Sequence, residues 1–382
     1  MNDTNILEYQ NNMVVNHAGI LTDWLKENNV ASAVFINDEN NRSQHGAYLY
    51  GLPQDSILVA TAKGQFAVCV WDENYAKKIG LSVAVPYTMF DRDKIKAVAG
   101  MLKMLKVSAK SKVELPPITS YPDFLKFVDA LSQYNVLCRE KGAHEFVSQC
   151  RQIKDSFEIS AHKMAAKITN IIIDKIENDL VKGKIKTEID VALLIEKELR
   201  KNDAESTSFD TLVAGPERSC EIHAFPPYTK NEFPAEGLSI IDFGVKYYGY
   251  CSDVTLTIAK GKLTAAQEKQ LNLVQKAYDV GLKYYTQGVS VRTAAMKVDE
   301  VFAKAKRKMP HSLGHGIGLD IHEMPFVRAN APLEDIFEPG MIVTLEPGLY
   351  DEKIGGCRLE NDVLITEKGN EVLTNSRIIR LP

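Results

Sequence analysis

The chain has 382 residues, of which 45% are hydrophobic and 25% charged, with a net charge of −4. That length accommodates two domains and a sizeable core, and the composition is that of an ordinary globular protein. The slightly acidic balance excludes the basic footprint of a nucleic-acid binder and a polybasic patch for membrane lipid. The opening Met1-Asn-Asp-Thr lacks a basic-then-apolar pattern, so no secretory signal is expected. No apolar run approaches the ~20 residues of a membrane span. The six cysteines are widely spaced with no Cys-x-x-Cys, which argues against a disulfide scaffold or zinc ribbon. A reducing, cytoplasmic location is the expectation.

Val14 to Asn28 carry a helical apolar stripe, and Ala31 to Ile36 read as a buried strand. Ser56 to Ala62 and Gln65 to Trp71, separated by Lys63-Gly64, read as a hairpin. A helix over Lys94 to Leu105, a strand over Lys112 to Leu115 and a helix over Tyr121 to Leu131 follow. A domain boundary is expected near 135–142, dividing the chain into 1–138 and 139–382.

The second part opens on helices. Asp155-Ser-Phe-Glu158 has the capping-box pattern, followed by apolar residues at helical spacing, among them Met164, Ile168, Ile171 and Ile172. Thr187-Glu-Ile-Asp190 starts a second helix, with Val191, Leu193, Leu194 and Leu199 as its expected buried side. After Ser206 the texture becomes β-rich, with strands expected over Leu238 to Phe243 and Ser252 to Ile258. Helices over Thr264 to Thr286 and Ser290 to Lys308 precede β-rich segments at Met341 to Leu345 and Arg358 to Ile365.

Five hard metal ligands stand in constrained local settings: Asp242, Asp253, His315, Glu346 and Glu360. Four carboxylates and one imidazole exceed the needs of a structural zinc, and suit two divalent cations that share carboxylates and activate water. Asp242 ends one expected strand and Asp253 opens the next, so a hairpin would bring the two together. Adjacent carboxylates repel, and a cation between them removes the conflict. His315 is flanked by Gly314 and Gly316, which permit close backbone approach. Glu346 precedes Pro347-Gly348, a turn that would hold the carboxylate at a strand end. The donor set suits Mn²⁺, Co²⁺ or Zn²⁺, with Mn²⁺ placed first.

These segments also resemble a known family. Asp242-Phe-Gly, Tyr250-Cys-Ser-Asp253, His311-Ser-Leu-Gly-His315-Gly-Ile-Gly, Glu346-Pro-Gly and Arg358-Leu-Glu360 are similar to motifs of the pita-bread metallopeptidases. That family includes Xaa-Pro aminopeptidases, Xaa-Pro dipeptidases (prolidases) and methionine aminopeptidases. The resemblance implies a mixed α/β (α+β) chain. A C-terminal pita-bread catalytic domain would follow a smaller, creatinase-like N-terminal domain. It further implies that Asp253 and Glu360 bridge two metals, that Asp242 completes one, and that His315 and Glu346 complete the other. A bridging hydroxide would attack the scissile carbonyl, and Glu346 would pass the proton to the leaving nitrogen. His223, His311 and His322 match positions lining the family's site, and Arg358 could orient a ligand carboxylate. The implied substrate is a peptide with proline second, and the implied assembly a homodimer.

The chain departs from the family's frequent Asp-x-Thr-Arg-Thr at one point, reading Asp253-Val-Thr-Leu-Thr257. A peptide-binding module without activity, or a metal-free amidinohydrolase, would be expected to have lost ligands; here all five are present. An Xaa-Pro aminopeptidase is therefore the expectation, with a dipeptidase as its alternative.

Overall fold

A computed structural model describes residues 17–39, 42–51, 55–74 and 84–382. The Val14 end of the first expected helix lies outside the described residues; within them, residues 17–27 are helical. The chain divides into two compact units, Met1–Arg151 and Gln152–Pro382. The division lies beyond the expected 138/139 boundary because the helix Ala143–Cys150 packs within the first unit, where His144 Nε2 bonds Val34 O at 2.9 Å.

Among the described residues, the first unit is built on a six-stranded sheet. Its order is Ala84–Pro86, Phe66–Val70, Ser56–Thr61, Ser32–Asn37, Lys112–Leu115 and Asn135–Cys138. Ser56–Thr61 and Phe66–Val70 form the expected antiparallel hairpin, turned at Gly64 in the left-handed region (φ +74°). Lys112–Leu115 lies parallel to Ser32–Asn37 and to Asn135–Cys138. The helix Lys94–Met104 is capped by Asp93, whose Oδ1 accepts from the N–H groups of Ile95 and Lys96. Its Ala97, Val98, Met101 and Leu102 join Val34, Val59, Val113 and Phe127 in the core.

The second unit starts with two helices whose capping boxes both form, Ser156–Val181 at Asp155/Glu158 and Glu188–Lys201 at Thr187/Asp190. Their stripes are narrower than the sequence suggests. Ile168, Ile172, Val191 and Leu199 are buried, whereas Met164, Ile171 and Leu193 face out. Against these helices lies a sheet ordered Ile378–Leu381, Val254–Lys260, Gly237–Phe243, Leu212–Ala214. Leu256, at the point where the sequence departs from the motif it resembles, is fully buried in this core with Ile172, Ile176 and Val254. The missing charge is thus replaced by apolar packing behind the site.

A second sheet runs Glu323–Val327, Gly314–Gly316, Ile342–Leu345, Asn361–Thr366, Gly369–Val372. It packs with the helices Ala265–Tyr284 and Val291–Lys304 through Val274, Tyr285, Val298, Phe302, Val343 and Leu345. The last of these helices stops before the expected Lys308, because Lys306 takes a left-handed conformation (φ +56°). The expected strand from Arg358 to Ile365 is also interrupted. Cys357–Arg358 pairs with Gly348–Leu349, and pairing with Ile342–Leu345 resumes only at Asn361. Among the described residues, no helix is long and apolar enough to cross a membrane.

Candidate active site

The strand register brings the two aspartates together. Asp242 lies opposite Thr255, two residues after Asp253. Strand alternation sets Asp253 and Thr255 on one face, toward Asp242. Between the aspartates the chain makes a small hairpin, Val245–Tyr247 with Tyr250–Cys251. Gly244 permits it, since a Cβ there would meet Ser252 O at 1.9 Å.

His315 sits in the short strand Gly314–Gly316, hydrogen-bonded on both sides. A Cβ at Gly314 would meet Thr344 O at 2.0 Å, and one at Gly316 would meet Met324 O at 2.1 Å, so side chains are excluded beside the imidazole. His315 Nδ1 donates to Gly316 O at 3.0 Å, which fixes the tautomer and leaves Nε2 as an acceptor. Nε2 stands 3.7 Å from Asp253 Oδ2 and 3.6 Å from Glu346 Oε1. Glu346 follows the strand Ile342–Leu345, its N–H held by Leu313 O at 2.9 Å. Glu360 occupies the interruption after Arg358, and Thr255 Oγ1 donates to its Oε2 at 2.6 Å.

All five residues border one cavity of about 330 Å³, together with His223, His311, His322 and Arg358. Every site residue expected from the sequence is therefore brought to one place. Phe209, Leu212, Ile222, Ile321 and Phe326 supply its apolar wall.

The electrostatics are those of several acids buried around a single guanidinium, Arg358. Burial raises the carboxyls of Asp253 and Glu360 well above the usual range, and their acidic neighbours raise them further. Burial likewise lifts Glu346 to about 7, and lifts Asp242 against the opposing pull of Arg358. Desolvation lowers His315 to about 4, keeping the imidazole neutral. Ligand atoms of Asp253, His315 and Glu360 all lie within 4.8 Å of one another. Asp242 Oδ1 is buried without a hydrogen-bond partner. A neutral imidazole, converging carboxylates and a buried orphan oxygen fit divalent cations.

The layer behind these residues was only partly visible in the sequence. Arg358 Nη2 donates to Asp242 Oδ2 at 2.6 Å, Nε to Thr255 Oγ1 at 2.7 Å, and Nη1 to Tyr350 Oη at 2.6 Å. Tyr350 Oη in turn lies 3.0 Å from His311 Nε2, while His311 Nδ1 donates to Ser312 O at 2.8 Å. Both His311 nitrogens are thus occupied, whereas His223 and His322 border the cavity with no such pairing shown. Thr344 Oγ1 bonds both the His315 N–H and Glu346 Oε1. Asp362 Oδ2 accepts the Asp253 N–H at 3.2 Å. Thr255, Thr344, Tyr350 and Asp362 were not singled out in the sequence. The nearest signal was parity: Thr255 lies two residues from Asp253, Thr344 two from Glu346, and Asp362 two from Glu360.

Residues of both sheets thus meet at one cavity lined by carboxylates and several imidazoles. Residues 160–367 match the metallopeptidase family M24, and the chain belongs to that family. Its catalytic unit has the pita-bread fold, in a two-part architecture shared with solved relatives. The Xaa-Pro dipeptidase from Bacillus anthracis superposes with a TM-score of 0.81 at 26% identity, covering 96% of this chain and 99% of that one. The X-Pro aminopeptidase from Thermotoga maritima MSB8 does so with a TM-score of 0.81 at 25% identity, again covering 96% and 99%. YqhT of Bacillus subtilis, named an uncharacterized peptidase, is 37% identical over 236 residues. That alignment spans 61% of this chain and 65% of YqhT, just under two thirds of the relative's length.

Proposed function

We propose that this metallopeptidase hydrolyses the Xaa-Pro bond at the N-terminus of a peptide and releases the first residue. The proposed metal ligands are Asp242, Asp253, His315, Glu346 and Glu360, with two divalent cations shared among them. The observation carrying this reading is the convergence of those five side chains, from five separate segments, on one cavity.

When bound, the two cations supply Lewis acidity and a water nucleophile at neutral pH. The protein's own groups handle protons and orientation. Glu346, at the cavity wall 3.6 Å from His315 Nε2, accepts the nucleophile's proton and returns it. Its acceptor in the second step is the proline nitrogen, which has no N–H in the peptide and leaves only when protonated. His223 and His322 hold the substrate's polar atoms from the cavity wall, while His311 and Tyr350 hold Arg358 and the acids in place. Donors so positioned are each worth ~3–4 kcal/mol in other enzymes.

Aminopeptidase activity is favoured by the charge of the wall. Among the described residues bordering the cavity, Arg358 is the only lysine or arginine, and all three of its nitrogens are engaged within the protein. No such cation stands open to the terminal carboxylate of a bound dipeptide. The dipeptidase reading is favoured instead by the likeness to the Bacillus anthracis enzyme.

The test compares Xaa-Pro-Yaa tripeptides with Xaa-Pro dipeptides, using chelator-treated protein before and after addition of Mn²⁺, Co²⁺ or Zn²⁺. Metal-dependent release of the first residue from tripeptides, absent in Asp253→Ala, is the expected result. Cleavage confined to dipeptides would replace the aminopeptidase reading. Silence on both, from folded protein that binds two ions, would overturn the Xaa-Pro reading.

A further inference from the structure

Helix Glu188–Lys201 begins at a carboxylate that is 0% exposed and that its own helix does not use for capping. Thr187 and Asp190 already satisfy the N-terminus, Thr187 Oγ1 accepting from the Asp190 N–H and Asp190 Oδ2 from the Thr187 N–H. Glu188 reaches instead to the segment 215–231, which has neither helix nor strand. Its Oε1 accepts from the Gly215 N–H at 2.7 Å, and its Oε2 accepts from both the N–H and the hydroxyl of Thr229 at 2.7 Å. Arg218 Nη1 donates to the same Oε2 at 2.5 Å, and its Nη2 donates to Pro226 O.

One carboxylate therefore fastens both stems of a loop, and its guanidinium partner ties the loop across its middle. His223 lies between the two fastenings and borders the cavity. A second anchor is Ser219, whose Oγ donates to Leu238 O at 2.7 Å and accepts the Gly356 N–H at 2.9 Å. A buried ion pair contributes little net stability compared with apolar packing of equal volume, but it selects one geometry. Backbone bonds hold turns near Gly215 and the returning stem at Pro227, Thr229 and Asn231, and between them the loop that carries the imidazole relies on these side-chain bonds.

We propose that Glu188 is a positioning residue for His223, acting through Gly215, Arg218 and Thr229. It rests on the Xaa-Pro peptidase reading for its kinetic consequence, but not for its structural one. Substrate groups misplaced by about 1 Å lose on the order of a hundredfold in rate. Loosening the clamp therefore degrades catalysis only while His223 is present to be misplaced.

The experiment is a double-mutant cycle on the metal-loaded full chain, read together with amide hydrogen exchange. Glu188→Gln should lower kcat/KM on an N-terminal Xaa-Pro peptide by about ten- to a hundredfold, and by less than about twofold in the His223→Ala background. Exchange should quicken in 215–231 while the helix Ser156–Val181 stays protected. An equal loss in both backgrounds, or no loss in the single variant, overturns the proposal. Should Glu188→Gln fail to fold, Thr229→Val, which removes one donor, enters the same cycle with the same criteria. Should the wild-type protein cleave no Xaa-Pro peptide, that reading fails, and exchange alone decides. Acceleration confined to the loop then supports the clamp, and unchanged exchange overturns it.

Discussion

Arg358 Nη2 and Asp242 Oδ2 lie 2.6 Å apart, although 116 positions separate them in the chain. Both side chains are nearly shut from solvent, 3% and 12% exposed. The pair occupies one carboxylate oxygen and leaves Oδ1 buried without a hydrogen-bond partner. Arginine is suited to this because its planar fork serves Asp242, Thr255 and Tyr350 at once. Replacing it removes the one permanent positive charge among four buried acids. Arg358→Gln should weaken metal binding on the order of ten- to a hundredfold, as measured by titration of chelator-treated protein with Mn²⁺. Unchanged affinity would show that the ion pair serves folding alone.

Thr255 serves two groups of the site with a single hydroxyl. Its hydroxyl donates to Glu360 at 2.6 Å and accepts from Arg358 Nε at 2.7 Å, so one oxygen orients a proposed ligand and its supporting guanidinium. Thr255→Val keeps the shape and deletes both bonds, and should cost roughly ten- to a hundredfold in kcat/KM. Thr255→Ser, which restores the oxygen, should recover most of the loss. Equal activities of the Val and Ser variants would rule out the orienting role.

The glycines beside His315 are required by close backbone approach. A methyl group at Gly316 would meet Met324 O at 2.1 Å, and both neighbours are paired strands that cannot retreat cheaply. Gly316→Ala should destabilise the catalytic unit by at least ~2 kcal/mol in denaturant unfolding. Gly19→Ala, in the first unit, gives the opposite sign. Gly19 is helical with nothing within 4 Å of its Cβ position, and alanine there should stabilise by about 0.5–1 kcal/mol.

Acid should weaken the first unit through His144. Its ring is 6% exposed, packs 4.4 Å from Phe35 and 5.2 Å from His45, and desolvation lowers it to about 4. Arg151 Nη1 donates to the neighbouring His45 at 3.2 Å, which also disfavours added positive charge. As pH falls, the unfolded chain takes up the proton first, near pH 6.5, and the folded chain only near 4. Stability present above ~6.5 is therefore lost as pH falls toward ~4, at about 1.4 kcal/mol per pH unit for this group, and then levels off. Both tryptophans, Trp24 and Trp71, lie in this unit, so their fluorescence in urea reports on it alone. His144→Phe should reduce the slope between pH 6.5 and 4 by that amount, leaving the share of His45, whose own pKa burial also lowers. A variant as steep as the wild type would assign the loss to other groups.

Much of the fold and site was legible because its signals are local. Asp155/Glu158 and Thr187/Asp190 form capping boxes within three residues, and Lys63-Gly64 turns a hairpin within two. The proposed metal ligands stand beside glycine, proline or strand ends that constrain them before any tertiary contact forms. Errors arose where burial depends on what packs opposite. Met164, Ile171 and Leu193 keep helical spacing yet face solvent, since neither helix is covered all round. The interruption at Leu359–Glu360 was likewise invisible, because an apolar run does not say where pairing stops.

The sequence by itself determined the chemical inventory: four carboxylates and an imidazole in rigid local frames, two units, and a core with leucine at 256. Only the tertiary structure decided who meets whom. Arg358 serves Asp242 rather than the nearer Glu360, and Glu188 holds a loop that begins 27 residues downstream at Gly215. The physical reason is range. Caps, turns and glycine-flanked strands are set by the dihedral preferences of a few adjacent residues. Hydrogen bonds across a hundred positions depend on strand register and loop return, which the assembled core sets as a whole.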